Sequence, residues 1–499
     1  MSKNHNEKQL VNSSNKGYLI PIFLVLIVFS LLIGAIIYQG LRNEEAFLLQ
    51  DYRFLVIGSI SVLFILLLIL YRTISKSFYK LDLDSNKLNL HLDKDLKILD
   101  TKSIQTDDIL YEKITDEKAS LVTEQKIKES KLSKASIEKA KNSRFYMLTA
   151  IDEGMQNYVE PEYNETISLK EFCEEFRDYS SYKLHLYYDI KDIRRFVAGL
   201  AVTRLIILQG MSGTGKTSLA YAFGEFVENK TVVVPIQPMW KERSDLIGYY
   251  NEFTKKFNET TLLYKMYEAL YTRDIYVTVL DEMNIARVEY YFAEFLSLFE
   301  LPNPDSRNLD VVSDVWDNDP VLLRNGKLRL PLNMYFIGTA NNDDSTFAIS
   351  DKVYDRAIVL NLDNKCDPFE AKRTSPVRIS WNHINDLFYK ARQKYELSYR
   401  NLRRINELDK YLIDTFNITF GNRIMKQIKE YVPVIIECGG TELDAIDDIV
   451  SRKILRKLES KNPVYVKSQS EALINKLNDL FGDNKMSQCI NVINQLLQS

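Results

Sequence analysis

The chain has 499 residues, of which 45% are hydrophobic and 27% are charged, and its formal net charge is −3. This length predicts two to four domains. The near balance of charge argues against a protein built mainly to coat nucleic acid, although a local basic surface that binds nucleic acid stays open. The cysteines and histidines are scattered and no C-x-x-C pair occurs, so the sequence favours neither a disulfide framework nor a zinc site.

Two uncharged apolar segments near the N-terminus predict a transmembrane helical hairpin. Residues 18–38 read YLIPIFLVLIVFSLLIGAIIY, and residues 54–71 read FLVIGSISVLFILLLILY. Each is long enough, at about 1.5 Å per helical residue, to cross a hydrocarbon core of about 30 Å. The alternative is a cleaved signal peptide followed by a buried helix. It is weaker because the first segment exceeds a signal core of about 15 residues and no A-x-A cleavage site follows.

The charges that flank this hairpin predict its orientation. Basic residues lie before the first span and after the second: Lys3, Lys8, Lys16, Arg72, Lys76 and Lys80. The positive-inside rule then places both termini in the cytoplasm. Residues 1–80 are therefore predicted to be a two-span anchor in the cell membrane, with the remainder of the chain cytoplasmic. Residues 81–145 are polar and lysine-rich, and we interpret them as a solvated stalk or linker.

A glycine-rich run at residues 208–219, LQGMSGTGKTSL, follows the apolar segment RLIILQG and precedes the helical pattern SLAYAFGEFV. Strand, loop and helix in this order are the context that the G-x-x-x-x-G-K-[ST] phosphate-binding motif requires. Its glycines let backbone N–H groups converge on phosphate oxygens, and the helix N-terminus adds partial positive charge. We expect Lys216 to reach the β- and γ-phosphates and Thr217 to supply a hydroxyl to Mg²⁺. The predicted nucleotide-binding residues of this loop are Gly210, Met211, Ser212, Gly213, Thr214, Gly215, Lys216, Thr217 and Ser218.

Two later apolar runs end in polar residues that suit hydrolysis of a bound triphosphate. The run IYVTVLDEMN ends in the adjacent carboxylates Asp281 and Glu282. Asp281 is expected to hold Mg²⁺ together with Thr217, and Glu282 to act as the general base for the attacking water. Asn341, which ends the run NMYFIGTAN, is expected to orient that water or the γ-phosphate. Asn342 is the alternative if the register shifts by one residue.

An arginine, Arg356, stands just before a further apolar run, AIVLNL. An arginine in this place is expected to reach the γ-phosphate that a neighbouring subunit binds, where it would stabilise the charge of the transition state. The alternative is a surface salt bridge with Asp351 or Asp355. Arg356 is therefore a predicted catalytic residue that acts on another copy of the chain.

Together these motifs resemble those of the AAA+ ATPases, and three stretches are similar to the dynein-related, MoxR-like and McrB-like branch of that family. PIQPMWKERSDLIGYYNEFT resembles the segment after the second strand of this branch. DEMNIARVEYYFAEFLSLFE resembles its Walker B segment and following helix, and VLLRNGKLRLPLNMYFIGTAN its hairpin before the sensor 1 strand. The resemblance covers about residues 190–460, a little over half of the chain.

The resemblance implies an α/β fold. It consists of a P-loop AAA+ core, a parallel sheet between helices, over residues 146–365, and an α-helical lid with further C-terminal helices over residues 366–499. In the lid, Arg423 of FGNRIMKQI is implied as a sensor 2 residue that binds nucleotide. The resemblance also implies a homo-oligomeric, hexameric ring. Residues 461–499 carry no functional signal of their own.

The dipeptide Asn325–Gly326, between VLLR and KLRL, predicts a β-hairpin with a two-residue turn. The resemblance likens this hairpin to the helix-2 insertion of the branch, which faces the pore or a partner. Lys327 and Arg329 on the hairpin either contact a substrate or are solvated.

The resemblance favours ATP as the nucleotide, because most of the wider clade uses it, and leaves GTP open. Members that use GTP often carry an asparagine–aspartate motif followed by arginine near sensor 1. Here Asn341 and Asp344 keep the N-x-x-D spacing, but Ser345 follows. Ile285 stands after Asn284, where restriction-type members usually carry arginine, which weakens a direct assignment to DNA restriction.

The functional hypothesis is a membrane-anchored nucleoside triphosphatase that couples hydrolysis of ATP, with Mg²⁺, to remodelling or activation of a partner protein. A role in defence against foreign DNA is suggested by the McrB-like neighbours. The first alternative is a GTP-driven restriction motor that acts with a separate nuclease subunit, since the chain carries no nuclease motif of its own. The second alternative is a nucleotide-gated scaffold with little turnover, against which the intact Glu282 argues.

Overall fold

The computed structural model describes residues 140, 142–229, 231–341, 346–362 and 366–498. All of them belong to one compact unit, residues 104–499. The two predicted membrane spans and nearly all of the predicted stalk lie outside the described residues. Within the described ranges, no helix is both long and apolar enough to cross a lipid bilayer.

The centre of the described unit is a five-stranded sheet in which every pairing is parallel. Its strands are β1 (Leu205–Gly210), β2 (Val232–Pro235), β5 (Tyr276–Asp281), β9 (Met334–Asn341) and β10 (Ile358–Asn361). Their order across the sheet is β10–β1–β9–β5–β2. In β1, Leu205 and Ile207 join the hydrophobic core on one face, while Ile206 and Leu208 join the core on the other. Such strands are apolar throughout because successive side chains point to opposite, equally buried faces.

Helices cover both faces of this sheet and complete an α/β core. They are α1 (Tyr146–Met155), α2 (Leu169–Leu184), α3 (Ile190–Val202), α4 (Lys216–Phe226), α5 (Ser244–Ile247), α6 (Thr261–Ala269), α7 (Val288–Tyr291), α8 (Ala293–Glu300) and α9 (Asp351–Tyr354). Helices α2, α3 and α4 share the core that contains Ile206, and α1, α6 and α8 share the core that contains Ile207. Helix α2 begins at a capping box in which Ser168 and Glu171 satisfy each other's backbone N–H groups.

Two small antiparallel units lie outside the central sheet. One pairs β3 (Gly248–Asn251) with β4 (Lys256–Glu259), and the other contains β6 (Asn308–Asp310), β7 (Leu323–Arg324) and β8 (Lys327–Arg329). The predicted Asn325–Gly326 turn connects β7 and β8, and both of its residues have positive φ, 53° and 73°. Lys327 pairs with Asp310 at 2.8 Å and Arg329 with Asp305 at 3.0 Å, and both basic side chains are about half exposed.

The C-terminal part of the chain is helical and packs onto the core face that carries α2, α3 and α4. Its helices are α10 (Trp381–Lys394), α11 (Tyr399–Phe416), α12 (Gly421–Glu437), α13 (Glu442–Ile449), α14 (Pro463–Phe481) and α15 (Ser487–Gln498). Between α13 and α14 the chain continues as the short helical turns Val450–Ile454 and Leu455–Ser460. Four of these helices begin where a side chain accepts a backbone N–H of the first turn: Ser380, Ser398, Thr441 and Asn462.

Buried polar contacts fix this helical part against the core. Lys453 is 2% exposed, and its Nζ donates to the carbonyl oxygens of Tyr354 at 2.7 Å, Asp355 at 3.4 Å and Ala357. These carbonyls surround Arg356, so a residue of the helical part fixes the backbone of a predicted catalytic segment. Burial lowers the pKa of Lys453 to about 7, against the pull of the Asp355 carboxylate.

This lowered pKa predicts how the stability of the protein changes with pH. Between about pH 7 and the ordinary lysine pKa of 10.5, the unfolded chain binds a proton that the folded chain does not. The free energy of unfolding therefore rises with pH across this window, by at most about 1.4 kcal/mol per pH unit. We expect melting temperatures at pH 7 and pH 9 to show this rise in the wild-type protein and to lose it in Lys453→Met. Lys457→Met, which changes a half-buried lysine one turn away, is the control and should keep it. Equal pH slopes for the wild-type protein and Lys453→Met would contradict the assignment.

Candidate functional site

The glycine-rich loop connects the end of β1 to the start of α4 at the carboxyl edge of the sheet. Gly215 caps α4 with φ 85°, in the left-handed region that favours glycine. A Cβ at this residue would lie 3.3 Å from the Tyr188 hydroxyl, which donates to the Gly215 carbonyl oxygen at 3.0 Å. The first residues of the loop and of α4 thus offer their backbone N–H groups to an anion, and Tyr188 fixes the loop from the preceding segment.

Lys216 and Thr217 open α4 and connect the loop to the neighbouring strand. Lys216 is 7% exposed, and its Nζ donates to the carbonyl oxygens of Gly210 at 3.0 Å and Met211 at 2.6 Å. The ammonium group therefore lies against the loop itself, where phosphate oxygens can replace the two carbonyls as acceptors. The Thr217 hydroxyl donates to Asp281 Oδ1 at 3.0 Å, so the two predicted Mg²⁺ ligands lie side by side.

A third residue, Thr339, contacts both Asp281 and Glu282, and the sequence did not indicate it. It lies on β9, which pairs with β5, and it is 3% exposed. Its Oγ1 donates to Asp281 Oδ1 at 2.9 Å and accepts from the backbone N–H of Glu282 at 2.8 Å. Glu282 has φ 51° and ψ 47°, a strained left-handed conformation for a residue other than glycine, and its side chain is exposed. A lone threonine within the apolar run MYFIGTAN was the available signal for this role.

Replacing Thr339 by valine is expected to slow hydrolysis by about tenfold to a hundredfold while nucleotide affinity changes little. Valine keeps the shape but leaves the Glu282 N–H unpaired and removes one donor to Asp281, at a cost of about 1–3 kcal/mol. Steady-state kinetics with a separate binding titration would show a fall in kcat at nearly constant Kd. Thr278→Val is the matched control, because Thr278 is fully buried on β5 and its hydroxyl has no hydrogen-bond partner among the described residues. Equal effects of the two substitutions would contradict the role of Thr339.

The structure places Asn341 at the end of β9, in register with Gly210 of β1. Its backbone carbonyl accepts from Asn284 Nδ2 at 2.9 Å and from the Thr346 hydroxyl at 3.2 Å, which ties the strand end to the segment after Glu282. The alternative residue Asn342, and the residues Asp344 and Ser345 that bear on the choice of nucleotide, lie outside the described residues. Asn341 is thus adjacent in the sheet to the first residue of the glycine-rich loop, and its water-orienting role stays a prediction.

The two predicted arginines lie together, on a carboxylate that the sequence did not indicate. Arg356 Nη2 donates to one carboxylate oxygen of Glu300 at 2.6 Å, and Arg423 pairs with the other. Arg356 also donates to the Lys352 carbonyl oxygen at 2.6 Å. The carboxylates Asp351 and Asp355, considered as partners from the sequence, instead lie beside Arg456 and Lys457. Glu300 thus holds the candidate γ-phosphate arginine and the candidate sensor 2 arginine at one place.

A cavity of about 820 Å³ lies beside the phosphate loop. Gly213, Thr214 and Gly215 line it from the loop, residues 185–189 from the segment before α3, and Arg452 from the helical part. Neither Arg356 nor Arg423 lines it. Within the described part of the chain, the arginine of the helical part that borders this cavity is Arg452, which the sequence did not single out.

The arrangement fits a nucleoside triphosphate bound with Mg²⁺. The loop supplies N–H donors and the Lys216 ammonium, and the adjacent Thr217 hydroxyl and Asp281 carboxylate are oxygen ligands of the kind that Mg²⁺ prefers. No group of three or more His, Cys, Asp or Glu side chains in the described ranges could hold a metal ion. At Thr217 and Asp281, Mg²⁺ would therefore complete its coordination with phosphate oxygens and water, as it commonly does.

Comparisons with known proteins agree with this reading of the loop. Residues 205–357 match the family model described as AAA domain (dynein-related subfamily). Residues 374–499 match the model described as Domain of unknown function (DUF8727). The chain therefore contains an AAA domain of the AAA+ ATPase family, a class of nucleotide-binding P-loop proteins, followed by a helical region of a second family.

Two solved structures are similar in part. A presumed ATPase from Cytophaga hutchinsonii shares 12% identity over 69% of this chain and 97% of its own, with a TM-score of 0.39. A full-length MCM homolog from Methanopyrus kandleri shares 9% identity over 58% of this chain and 61% of its own, with a TM-score of 0.33. At these scores neither likeness bears on function. A comparison with curated proteins found no match.

Proposed function

We propose that the chain is a membrane-anchored AAA+ ATPase that couples hydrolysis of ATP to remodelling or activation of a partner protein. The observation that carries this proposal is the contact of Thr217 and Thr339 with the same oxygen of Asp281, next to Glu282. This arrangement joins a phosphate-binding loop to a metal ligand and a general base, whereas a module that only binds nucleotide has no need of the base. The membrane anchor is residues 1–80, and the AAA domain lies on the cytoplasmic side.

The residues of the chain have separate tasks in this reaction. Lys216 and the loop N–H groups bind the triphosphate, and Mg²⁺ at Thr217 and Asp281 supplies charge neutralisation when bound. Glu282 takes the proton of the attacking water. Its side chain is exposed, and the Thr339 hydroxyl fixes its backbone by accepting its N–H. Asn341, in register with Gly210, orients that water.

Arg356 and Arg423 act on the site of a neighbouring subunit, and the assembly is a hexameric ring. Both arginines pair with Glu300 and not with Asp281 or Glu282 of their own site, which supports a role at a γ-phosphate that another copy presents. Glu300 holds the two positive charges until that phosphate competes for them. Nucleotide turnover is then coupled to contact between subunits.

Arg356→Ala is expected to lower hydrolysis by about a thousandfold without loss of nucleotide binding. The full-length protein in detergent should also show a specific activity that rises with protein concentration as rings assemble.

A mixing experiment tests the action across subunits. Lys216→Ala and Arg356→Ala are each inactive, but in mixed rings the first supplies Arg356 to the intact phosphate loop of the second. Hydrolysis should therefore return on mixing, and the control Arg403→Ala, which changes an exposed arginine of α11 that pairs with Glu407, should stay active alone. Failure to recover activity in mixed rings that demonstrably form would contradict the proposal.

The anchor and the partner are tested in cells. The full-length chain should remain in the membrane fraction after an alkaline wash. Release of the chain by that wash would contradict the proposed membrane anchor. The form of the protein that traps triphosphate, Glu282→Gln, should retain its partner through purification from solubilised membranes. A nuclease-bearing subunit would favour the restriction motor and GTP, whereas a membrane or envelope protein would support remodelling.

A further inference from the structure

The C-terminal helix α15 has one apolar face and one face rich in amides. Cys489 and Ile493 are fully buried and join the hydrophobic core of the helical part. Four amide side chains lie on the other side of the helix and line the cavity beside the glycine-rich loop: Gln488, Asn491, Asn494 and Gln495. Gln488, Asn491 and Gln495 follow the spacing i, i+3, i+7, which places them along one stripe of a helix.

The position of this amide face is fixed by polar contacts with the rest of the helical part. The Asp447 carboxylate, on α13, accepts the backbone N–H groups of Gln488 and Cys489, each at 2.9 Å. Arg452 Nη2 donates to Gln488 Oε1 at 3.2 Å. Asp447 therefore caps the first turn of α15 from another helix, and Arg452 orients the first amide of the stripe. These contacts fix the first turn of α15 and the Gln488 side chain within the helical part.

The remaining cavity wall suits a neutral heterocycle rather than a second anion. The cavity is lined by four aspartates (Asp189, Asp192, Asp444 and Asp447) against three basic side chains (Lys191, Arg195 and Arg452), and this balance disfavours another phosphate there. The Arg195 guanidinium is already paired with Asp192 at 2.9 Å and with Asp448 at 3.2 Å. Leu362 and Val492 add apolar surface. A triphosphate held at Gly213–Gly215 leaves its ribose and base in the adjoining space, and about 820 Å³ accommodates both.

We propose that the amide face of α15 recognises the purine base of the nucleoside triphosphate whose phosphates bind at the glycine-rich loop. An amide side chain presents a donor and an acceptor side by side, which matches the paired donor and acceptor positions on a purine edge. Asn491 and Gln495, both exposed to the cavity, are the residues that make these contacts. The inference rests on the proposed function and adds that nucleotide selectivity belongs to the C-terminal helix, outside the AAA domain.

The test compares ligands that share phosphates but differ in the base. Calorimetric titrations of the full-length protein would use ATP, GTP, CTP and inorganic tripolyphosphate. We expect one purine triphosphate to bind at least about tenfold more tightly than CTP, and the preferred purine identifies the natural nucleotide. The double variant Asn491→Ala, Gln495→Ala should reduce this preference by about tenfold while its tripolyphosphate affinity stays unchanged. Asn475→Ala, an exposed asparagine of α14 that does not line the cavity, is the matched control and should keep the preference.

Three outcomes would overturn the inference in different ways. A preference for the purine that survives in the double variant would remove α15 from base recognition and leave the proposed function intact. A parallel loss of tripolyphosphate binding in the double variant would assign α15 to folding or to phosphate contacts. A wild-type protein that binds no nucleoside triphosphate would overturn the proposed function, and this inference with it.

Discussion

Substituting Glu282 by glutamine is expected to stop hydrolysis while nucleotide binding persists. Glutamine keeps the size and shape of the side chain but cannot take a proton from water, so the rate should fall by about 10²–10⁴. The backbone of Glu282 is already held by the Thr339 hydroxyl at 2.8 Å, and its side chain is exposed, so the substitution should not disturb the fold. The variant should therefore accumulate bound triphosphate instead of diphosphate.

Single-turnover hydrolysis, followed by extraction and chromatography of the retained nucleotide, would measure both halves of this prediction. Glu252→Gln makes the same chemical change on an exposed carboxylate that pairs with Lys255 in the β3–β4 unit, and it should hydrolyse nucleotide at the wild-type rate. Turnover that is unchanged in Glu282→Gln would support the nucleotide-gated scaffold, since the general base would then have no task. Loss of binding together with hydrolysis would assign Glu282 to the folding of the site.

Lys216→Ala is expected to abolish triphosphate binding, with a loss of affinity of at least about a hundredfold. The buried ammonium is the one positive side-chain charge of the loop itself, and its present acceptors are the carbonyl oxygens of Gly210 and Met211. A bound phosphate gains a charge-assisted hydrogen bond in their place, which alanine cannot provide. Removing a methylene stem that is 7% exposed also leaves a small void, so a modest fall in melting temperature should accompany the loss of binding.

Equilibrium binding with a fluorescent triphosphate would measure the affinity, and circular dichroism would confirm that the variant folds. Lys255→Ala is the control, because Lys255 is an exposed lysine whose contact is with Glu252. Wild-type affinity in a folded Lys216→Ala protein would refute the assignment of the glycine-rich loop. Since Thr217, Asp281 and Glu282 are interpreted through that loop, their roles would lose their basis as well.

Short-range patterns in the sequence were enough to predict the elements that bear the site. The runs that became β1, β5 and β9 are apolar throughout because both faces of each strand are covered. The glycine-rich loop can be predicted from the sequence because its left-handed backbone at Gly213 and Gly215 requires glycine at those residues. The Asn325–Gly326 turn is equally local. In each case the physical constraint acts within a few residues, so the residue types by themselves indicate the structure.

The contacts that complete the site depend on residues far apart in the chain, and only the tertiary structure decided them. Thr339 contacts Asp281 because β9 lies beside β5 in the sheet, and the apolar runs of the sequence do not encode this strand order. Glu300 holds both Arg356 and Arg423 because the helical part docks on the core through buried Lys453. The amides of α15, in a stretch without a recognisable motif, line the cavity beside the glycine-rich loop for the same reason. Sequence periodicity reports which face of an element is buried, whereas the partner of that face is chosen by packing over the whole unit.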